Sequence, residues 1–307
     1  MILSKPNHIK IYGHRGARGD LPENTLESFK YLFDNAINAY ETDILISKDL
    51  IPVITHDFRL DPSLTKDEAG NWIKDENIKI FDLTYDEISK FDIGSLNKLS
   101  RYGRRFINQR SLENQKIPKL SELLELSSKN LLQDLLINLE IKSTPDEKNL
   151  TPDPQDLVQI VLNEINNSNL KDKIIISSFD WRILREVKKQ SPEIPRAYLT
   201  FQQEKGMKIK KTIYSKSPWI DHIPLTIVYD LPKIIKELGG SAWHPYYKDI
   251  NKKAVKDAHD NNLPVNVWTV NDEDDMLKMI EYGVDGIMTD YPLRLKNLCE
   301  KRSINWF

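Results

Sequence analysis

From Pro118 onward the chain alternates short runs rich in β-branched residues with amphipathic stretches of helical period, and few architectures accept that order. Apolar strand cores stand at Leu135 to Ile141, Lys173 to Ser178, Arg196 to Thr200, Ser241 to Trp243, Pro264 to Val270 and Gly286 to Thr289. Helical stretches over roughly Leu120 to Ser128, Gln155 to Asn166, Trp181 to Gln190, Leu231 to Leu238, Lys252 to Asn261, Glu273 to Tyr282 and Leu293 to Glu300 lie between and after them. Upstream, Lys10 to His14 reads as a strand, and Asn24 with Glu27 three residues later marks the start of a helix over about Thr25 to Ile37. Tyr40 to Ser47 alternates apolar and polar residues as a second strand. Strand followed by helix, repeated eight times, predicts an α/β fold of the TIM (β/α)8 class, whose reactive groups stand at the C-terminal ends of the strands.

One segment breaks the alternation. Pro52 to Thr55 is a β-rich run that follows Ser47 too closely for a parallel crossover, so the two runs form a hairpin. A turn centred on Asp49 and Leu50 gives paired residue numbers summing to about 99, which returns His56 beside Asp43. Asp61 to Gln115 is polar and charged and shows no strand-helix alternation; it reads as a subdomain, residues 61–115, inserted in a single catalytic barrel spanning residues 1–307.

Charge excludes several classes of function. Lys and Arg number 44 against 46 Asp and Glu, a formal charge of −2, so no positive field draws in nucleic acid or an anionic membrane. Cys299 is the single cysteine and has no partner for a disulfide or a thiolate metal site. Met1 to Lys10 holds no apolar run of signal-peptide length and no stretch approaches about 18 apolar residues, so a cytoplasmic protein without stable membrane association is expected unless a leader has been removed.

The strand ends carry an uneven set of polar groups: His14 and Arg15 on the first, Glu41 and Asp43 on the second, Glu140 and Lys142 on the next. Residues two apart on a strand share a face, so Glu41 with Asp43, and Glu140 with Lys142, point the same way. Inward carboxylates must be paired, protonated or bound to a cation. These three offer hard oxygens without thiolate or paired imidazole, a set that favours Ca²⁺ or Mg²⁺ over zinc; the bland alternative is solvated or salt-bridged acid groups. His14 and His56 flank the same cleft and suit proton exchange at neutral pH, or each only caps a strand. Arg15 and Lys142 can fork onto a phosphate, or merely neutralise Glu41 and Glu140. Trp268 and Phe179 sit near strand ends, where they wall a pocket or pack the rim. His8, His222 and His259 read as surface or packing residues, and His244, before Pro245, as a rim group.

Seven segments, in order, resemble one family: His14-Arg15-Gly16, Pro22-Glu23-Asn24-Thr25, Glu41-x-Asp43, His56-Asp57, Glu140-x-Lys142, Trp268-Thr269-Val270-Asn271 and Asp285-Gly286-Ile287-Met288-Thr289-Asp290. Together they resemble the glycerophosphodiester phosphodiesterases over nearly the whole chain. The resemblance implies a TIM barrel with a small insertion after the second strand, a divalent metal, and hydrolysis of glycerophosphodiesters to sn-glycerol 3-phosphate and an alcohol. Carried over by motif, Glu41, Asp43 and Glu140 are metal ligands, His14 and His56 the acid-base pair, and Arg15 and Lys142 phosphate contacts; Trp268 and Phe179, read from their strand-end positions alone, are the candidate substrate-binding rings. Glu23 and Asn24 shape the first loop and touch the site, or only cap the first helix. Tyr40 and Thr42 depart from the family's more apolar pattern around the Glu41 and Asp43 pair. Two alternatives accompany this reading: a phospholipase C-like or sphingomyelinase D-like enzyme that leaves a cyclic phosphate, and a barrel that binds glycerophosphodiesters without cleaving them.

Overall fold

The computed structural model describes every residue except 1, 2, 5, 6, 131, 133, 205–210 and 226–229, so the leader reading of Met1 to Lys10 falls partly outside the described residues. Among the described residues, nine strands form one sheet. They are β1 (Lys10–His14), β2 (Ala39–Ile46), β3 (Pro52–Ile54), β4 (Leu136–Ile141), β5 (Ile174–Ser178), β6 (Arg196–Thr200), β7 (Ala242–Pro245), β8 (Asn266–Val267) and β9 (Gly286–Thr289). The order β7-β6-β5-β4-β2-β1-β9-β8 is parallel throughout, and parallel bridges from Trp243 to Val265 and from Tyr246 to Trp268 join β7 to β8 and close the barrel. β3 lies off this circuit, antiparallel to β2.

The helices are α1 (Leu26–Asp34), α2 (Tyr85–Ile88), α3 (Leu120–Lys129), α4 (Pro154–Asn166), α5 (Trp181–Gln190), α6 (Leu231–Glu237), α7 (Lys252–Asp260), α8 (Glu273–Tyr282) and α9 (Pro292–Lys301). Their starts follow side-chain chemistry. The Oγ1 of Thr25, not the side chain of Asn24 that the sequence pattern pointed to, accepts the Ser28 amide at the start of α1, which frees Asn24 for the barrel mouth. The buried stripe of α1 is Ser28, Phe29, Leu32 and Phe33, and burying the Phe29 ring alone stabilises the fold by about 2 kcal/mol. At the other end of the barrel, Gly283 in the left-handed conformation (φ 83°) stops α8.

Alternation along the strands sorts side chains into two layers. One apolar cluster fills the space between strands and helices, with Ile11, Tyr40, Ile44, Ile137 and Ile176 among its strand members. A smaller cluster inside the barrel comprises Tyr12, Ala39, Leu136, Ile175, Ala197, Leu199, Ala242 and Met288, joined by Phe179, Phe201 and Trp268 at the mouth. The same parity carries His14, Glu41, Asp43 and Glu140 to the mouth above that layer. Gly286 is needed where it stands, since a Cβ would lie 2.4 Å from the Asn266 Oδ1 and 2.7 Å from the Tyr12 ring.

The β2–β3 hairpin forms with a register one residue from expectation: Ile44 faces Ile54 and Leu45 faces Val53, so Thr55 rather than His56 meets Asp43, its amide donating to the Asp43 carbonyl at 3.1 Å. Leu50 at φ 63° takes the tight position of the turn. Residues between β3 and α3 hold α2 and two 3-10 turns and pack Leu60, Ile80, Ile88 and Ile117 against Leu45 and Val53 in a third apolar cluster. No described helix is long and apolar enough to cross a membrane.

Candidate active site

The parallel register sets His14 beside Glu41 and Asp43 beside Glu140, so two neighbouring strands, β2 and β4, deliver the acid groups to one point and β1 sets His14 next to them. One carboxylate oxygen from each of Glu41, Asp43 and Glu140 lies within 4.8 Å of the other two, and all three side chains are buried. This is the one such cluster among the described residues. Buried carboxylates at this spacing repel, so counter-charge must come from outside the trio. Lys142 Nζ supplies part of it, 2.7 Å from Glu140 Oε1 and 3.6 Å from Asp43 Oδ1. Arg15 Nε lies 3.2 Å from Asp43 Oδ2 while its Nη1 donates to Glu23 Oε1 at 2.7 Å. Asn24 Nδ2 donates to Asp43 Oδ2 at 3.1 Å, and its own carbonyl accepts from Thr42 Oγ1 at 3.0 Å. Thr42 thus holds Asn24 from the opposite face of β2, and the Tyr40 hydroxyl bonds Ser127 at 2.6 Å with its ring against Phe29, so both departures from the family pattern have structural work.

Glu41 Oε1 and Asp43 Oδ1 remain buried without a hydrogen-bond partner. Burial and the neighbouring Asp43 and Glu140 charges raise the Glu41 carboxyl well above the usual range. Burial acts the same way on Asp43, but His56, Arg15 and Lys142 outweigh it and hold that carboxyl below the usual range. Buried oxygens without a hydrogen-bond partner, a carboxyl pushed up by burial and by its like-charged neighbours, and an all-oxygen donor set fit a hard divalent cation.

The two histidines stand differently. His14 is buried; its Nδ1 lies 2.7 Å from Asp290 Oδ1, and its Nε2 lies 3.6 Å from Glu41 Oε2. Burial and then Arg18 push its pKa down to about 4, against the opposing pull of Asp290. Arg18 grips the same carboxylate with both arms of its fork, Nε to Oδ1 at 2.8 Å and Nη2 to Oδ2 at 2.9 Å, and Asn271 Nδ2 donates to Oδ2 at 2.6 Å. Burial alone would raise Asp290, yet Arg18 and His14 hold it far below the carboxylate range. His56 is about a quarter exposed (26%), its Nδ1 2.7 Å from Asp57 Oδ1, and burial with Arg15 and Lys142 lowers its pKa. Both imidazoles therefore turn Nδ1 to a carboxylate. Asp290, Arg18 and Asn271 were not assigned from the sequence; Asp290 and Asn271 stood inside quoted motifs, but nothing in one dimension pairs either with His14.

His14, His56, Glu41, Glu140, Arg15 and Lys142 line a cavity of about 1300 Å³ at the barrel mouth, together with Trp268 and Phe179, whose rings meet edge to face at 5.2 Å. Arg101, Tyr102 and Arg105 close one side of it. Tyr102 hydrogen-bonds Glu23 and accepts from Arg18 Nη1 at 3.3 Å, while Gln109 Nε2 donates to the Arg18 carbonyl at 2.6 Å. Arg15 itself adopts φ 53°, an uncommon conformation for a residue with a Cβ, and Gly16 follows at φ 81° with no room for one, since a Cβ would lie 2.4 Å from Ser28 Oγ. His244 is not at the rim: it is fully buried in the barrel interior, where Nε2 accepts from Asn266 Nδ2 at 3.0 Å, because β7 continues through Pro245. His259 is exposed and pairs with Asp285 at 2.8 Å, in keeping with a surface role.

At the mouth of a parallel barrel stand an acidic trio with the donor atoms to hold a metal ion, two carboxylate-backed imidazoles, and the cations Arg15 and Lys142. The family model for the glycerophosphoryl diester phosphodiesterase family matches residues 14–294, and the chain belongs to that family of phosphoric diester hydrolases. A glycerophosphodiester phosphodiesterase of Caldanaerobacter subterraneus subsp. tengcongensis is 30% identical over 292 residues, covering 95% of this chain and 98% of the relative. A solved structure from Silicibacter pomeroyi DSS-3, assigned by name to the same family, superposes with a TM-score of 0.88 at 34% identity over 99% of this chain and 98% of that one. An Oleispira antarctica phosphodiesterase solved with the product sn-glycerol-3-phosphate shares the fold at a TM-score of 0.69 and 24% identity, covering 95% and 96% of the two chains.

Proposed function

We propose that this chain hydrolyses glycerophosphodiesters to sn-glycerol 3-phosphate and an alcohol, with Ca²⁺ or Mg²⁺ held by Glu41, Asp43 and Glu140. The observation that carries the reading is the acidic trio, two of whose members, Glu41 and Glu140, line one cavity with His14, His56, Arg15 and Lys142. A bound divalent cation supplies Lewis-acid withdrawal of charge from a phosphate oxygen. Arg15 and Lys142 face the same cavity and offset the negative charge that grows as the phosphorus centre becomes five-coordinate. Since the Nδ1 of each histidine is engaged by a carboxylate, proton exchange runs through Nε2. One Nε2 takes the proton of the nucleophile, either water or the substrate's own glycerol 2-hydroxyl, and the other gives a proton to the departing alcohol oxygen; in the second route a water then opens the cyclic phosphate to sn-glycerol 3-phosphate. Asp290, fixed by Arg18 and Asn271, orients the His14 ring without touching substrate. Trp268 and Phe179 wall the pocket against water. Residues 61–115 are read as a subdomain inserted into one catalytic barrel, its Ile80 and Ile88 packing in the apolar cluster that also holds Leu45 and Val53 of the β2–β3 hairpin.

The test is release of glycerol 3-phosphate from a panel of glycerophosphodiesters, with and without EDTA and with Ca²⁺, Mg²⁺ or Mn²⁺ restored. Release that stops with EDTA and returns with metal is expected. Binding of the diesters without turnover under every metal would overturn the reading in favour of a non-catalytic barrel, and an accumulating cyclic phosphate would overturn the assigned product.

A further inference from the structure

The mouth of the barrel has two unlike halves. β1, β2 and β4 and the loop after β9 bring the charged groups described above, whereas β5 to β8 end in aromatic rings. Phe179 follows β5, Phe201 follows β6, Tyr246 and Tyr247 follow β7, and Trp268 follows β8. These rings form one continuous wall: Trp268 meets Phe179 at 5.2 Å and Tyr246 at 5.4 Å, Tyr246 meets Phe201 at 5.2 Å and Tyr247 at 5.1 Å. Trp219, from the connection between β6 and α6, faces the same cavity with Tyr246, Tyr247 and Trp268. Two acid groups, Asp272 and Asp275, complete this half. Asp272 Oδ1 caps α8, while Asp275 is partly buried and accepts the Tyr247 hydroxyl at 3.0 Å. Two native cations already lie over rings here, Lys142 over Phe179 at 5.9 Å and Lys248 over Tyr247 at 5.3 Å, which among the described residues leaves Trp268, Tyr246 and Trp219 as the cavity faces without one.

A phosphodiester has two arms, and once its phosphate is set over the acidic trio one arm reaches toward this wall. Electron-rich ring faces with a carboxylate close behind them attract a weakly hydrated cation far more than a neutral polyol, which would need paired hydrogen-bond donors and acceptors in place of rings. Resting on the hydrolytic reading above, we propose that this half of the cavity is a leaving-group subsite for an alcohol that bears a quaternary ammonium group, with Trp219, Tyr246 and Trp268 as its ring faces and Asp275 as its counter-charge.

The test compares kcat/KM for two glycerophosphodiesters that differ only in the leaving alcohol, one carrying a quaternary ammonium and one a neutral glycerol, on the metal-loaded protein. The wild-type ratio is expected to favour the cationic diester by about tenfold, and the ratio to fall about five- to tenfold in Asp275→Asn and in Tyr246→Leu. Using a ratio cancels any loss of folded protein in the variants. A wild-type ratio near one, or a ratio unmoved in both variants, overturns the subsite. Failure to hydrolyse either diester would instead defeat the reaction itself, so the two readings fail separately.

Discussion

The Nδ1 of His14 and the Oδ1 of Asp290 lie 2.7 Å apart although 276 residues separate them in the chain. The contact exists because β1 pairs with β9, so that the residue ending one strand faces the residue following the other. It leaves Nε2 as the ring atom directed at Glu41 and the cavity.

Replacing Asp290 with Asn keeps its size but removes the charge that Arg18 and His14 share. The expected result is a fall in kcat of about a hundredfold or more with KM little changed, because Asp290 does not reach substrate. Loss of the buried counter-charge to Arg18 should also cost about 3 kcal/mol of stability. Steady-state kinetics and denaturant melts measure both; kcat within a few-fold of wild type would remove Asp290 from any role in orienting His14.

His14→Ala and His56→Ala are each expected to lower turnover by about two to four orders of magnitude while the barrel stays folded. Circular dichroism checks the fold and glycerol 3-phosphate release checks the rate. Wild-type turnover in either variant takes that imidazole out of the chemistry.

The acidic trio predicts that Ca²⁺ or Mg²⁺ binds the folded chain in a one-to-one ratio and raises its melting temperature, since the unfolded chain offers no preformed site. Asp43→Asn should weaken the affinity more than about tenfold. Isothermal titration and thermal melts read this directly; equal affinity in wild type and variant would move the ion elsewhere.

His244 predicts a pH signature in stability rather than in activity. Its burial pushes the folded pKa down to about 3, below the ordinary value of 6.5, so the neutral ring is favoured in the native state. Stability from this group is complete above about pH 6.5 and is lost as pH falls from there toward about 3, at up to about 1.4 kcal/mol per pH unit, because the unfolded chain takes up a proton that the native chain refuses. Melts of wild type and His244→Gln at pH 7.5, 6 and 5 should therefore converge as the solution is acidified. Curves that stay parallel would show that His244 is not held neutral.

The barrel was legible because its evidence is periodic: strand cores at Leu135 to Ile141 and Gly286 to Thr289 correspond to β4 and β9, and α5 spans the residues the pattern named. The acidic trio was legible for the same reason, since a spacing of two on a strand fixes a shared face. Register across the hairpin was not, because the turn at Leu50 closes one residue tighter than its composition indicates, and that single step puts Thr55 opposite Asp43. Asn24 looked like a helix cap because its side chain has that chemistry, yet Thr25 has it too, and only the packed loop decides which of them turns toward Asp43. Asp290 and Arg18 escaped for a deeper reason: their meaning lies in pairing between distant strands, which neither propensity nor spacing encodes. His244 was misplaced because a strand end was put two residues early, which makes an interior residue look like a rim residue.

The pairing of β1 with β9 also sets a timetable for the nascent chain. Both imidazoles and all three carboxylates of the acidic trio leave the ribosome with residues 14–140, but Asp290, which hydrogen-bonds the first imidazole, is synthesised only after β9. A half-made polypeptide therefore holds most of the polar groups of the mouth but lacks the β1–β9 pairing that brings Asp290 to His14.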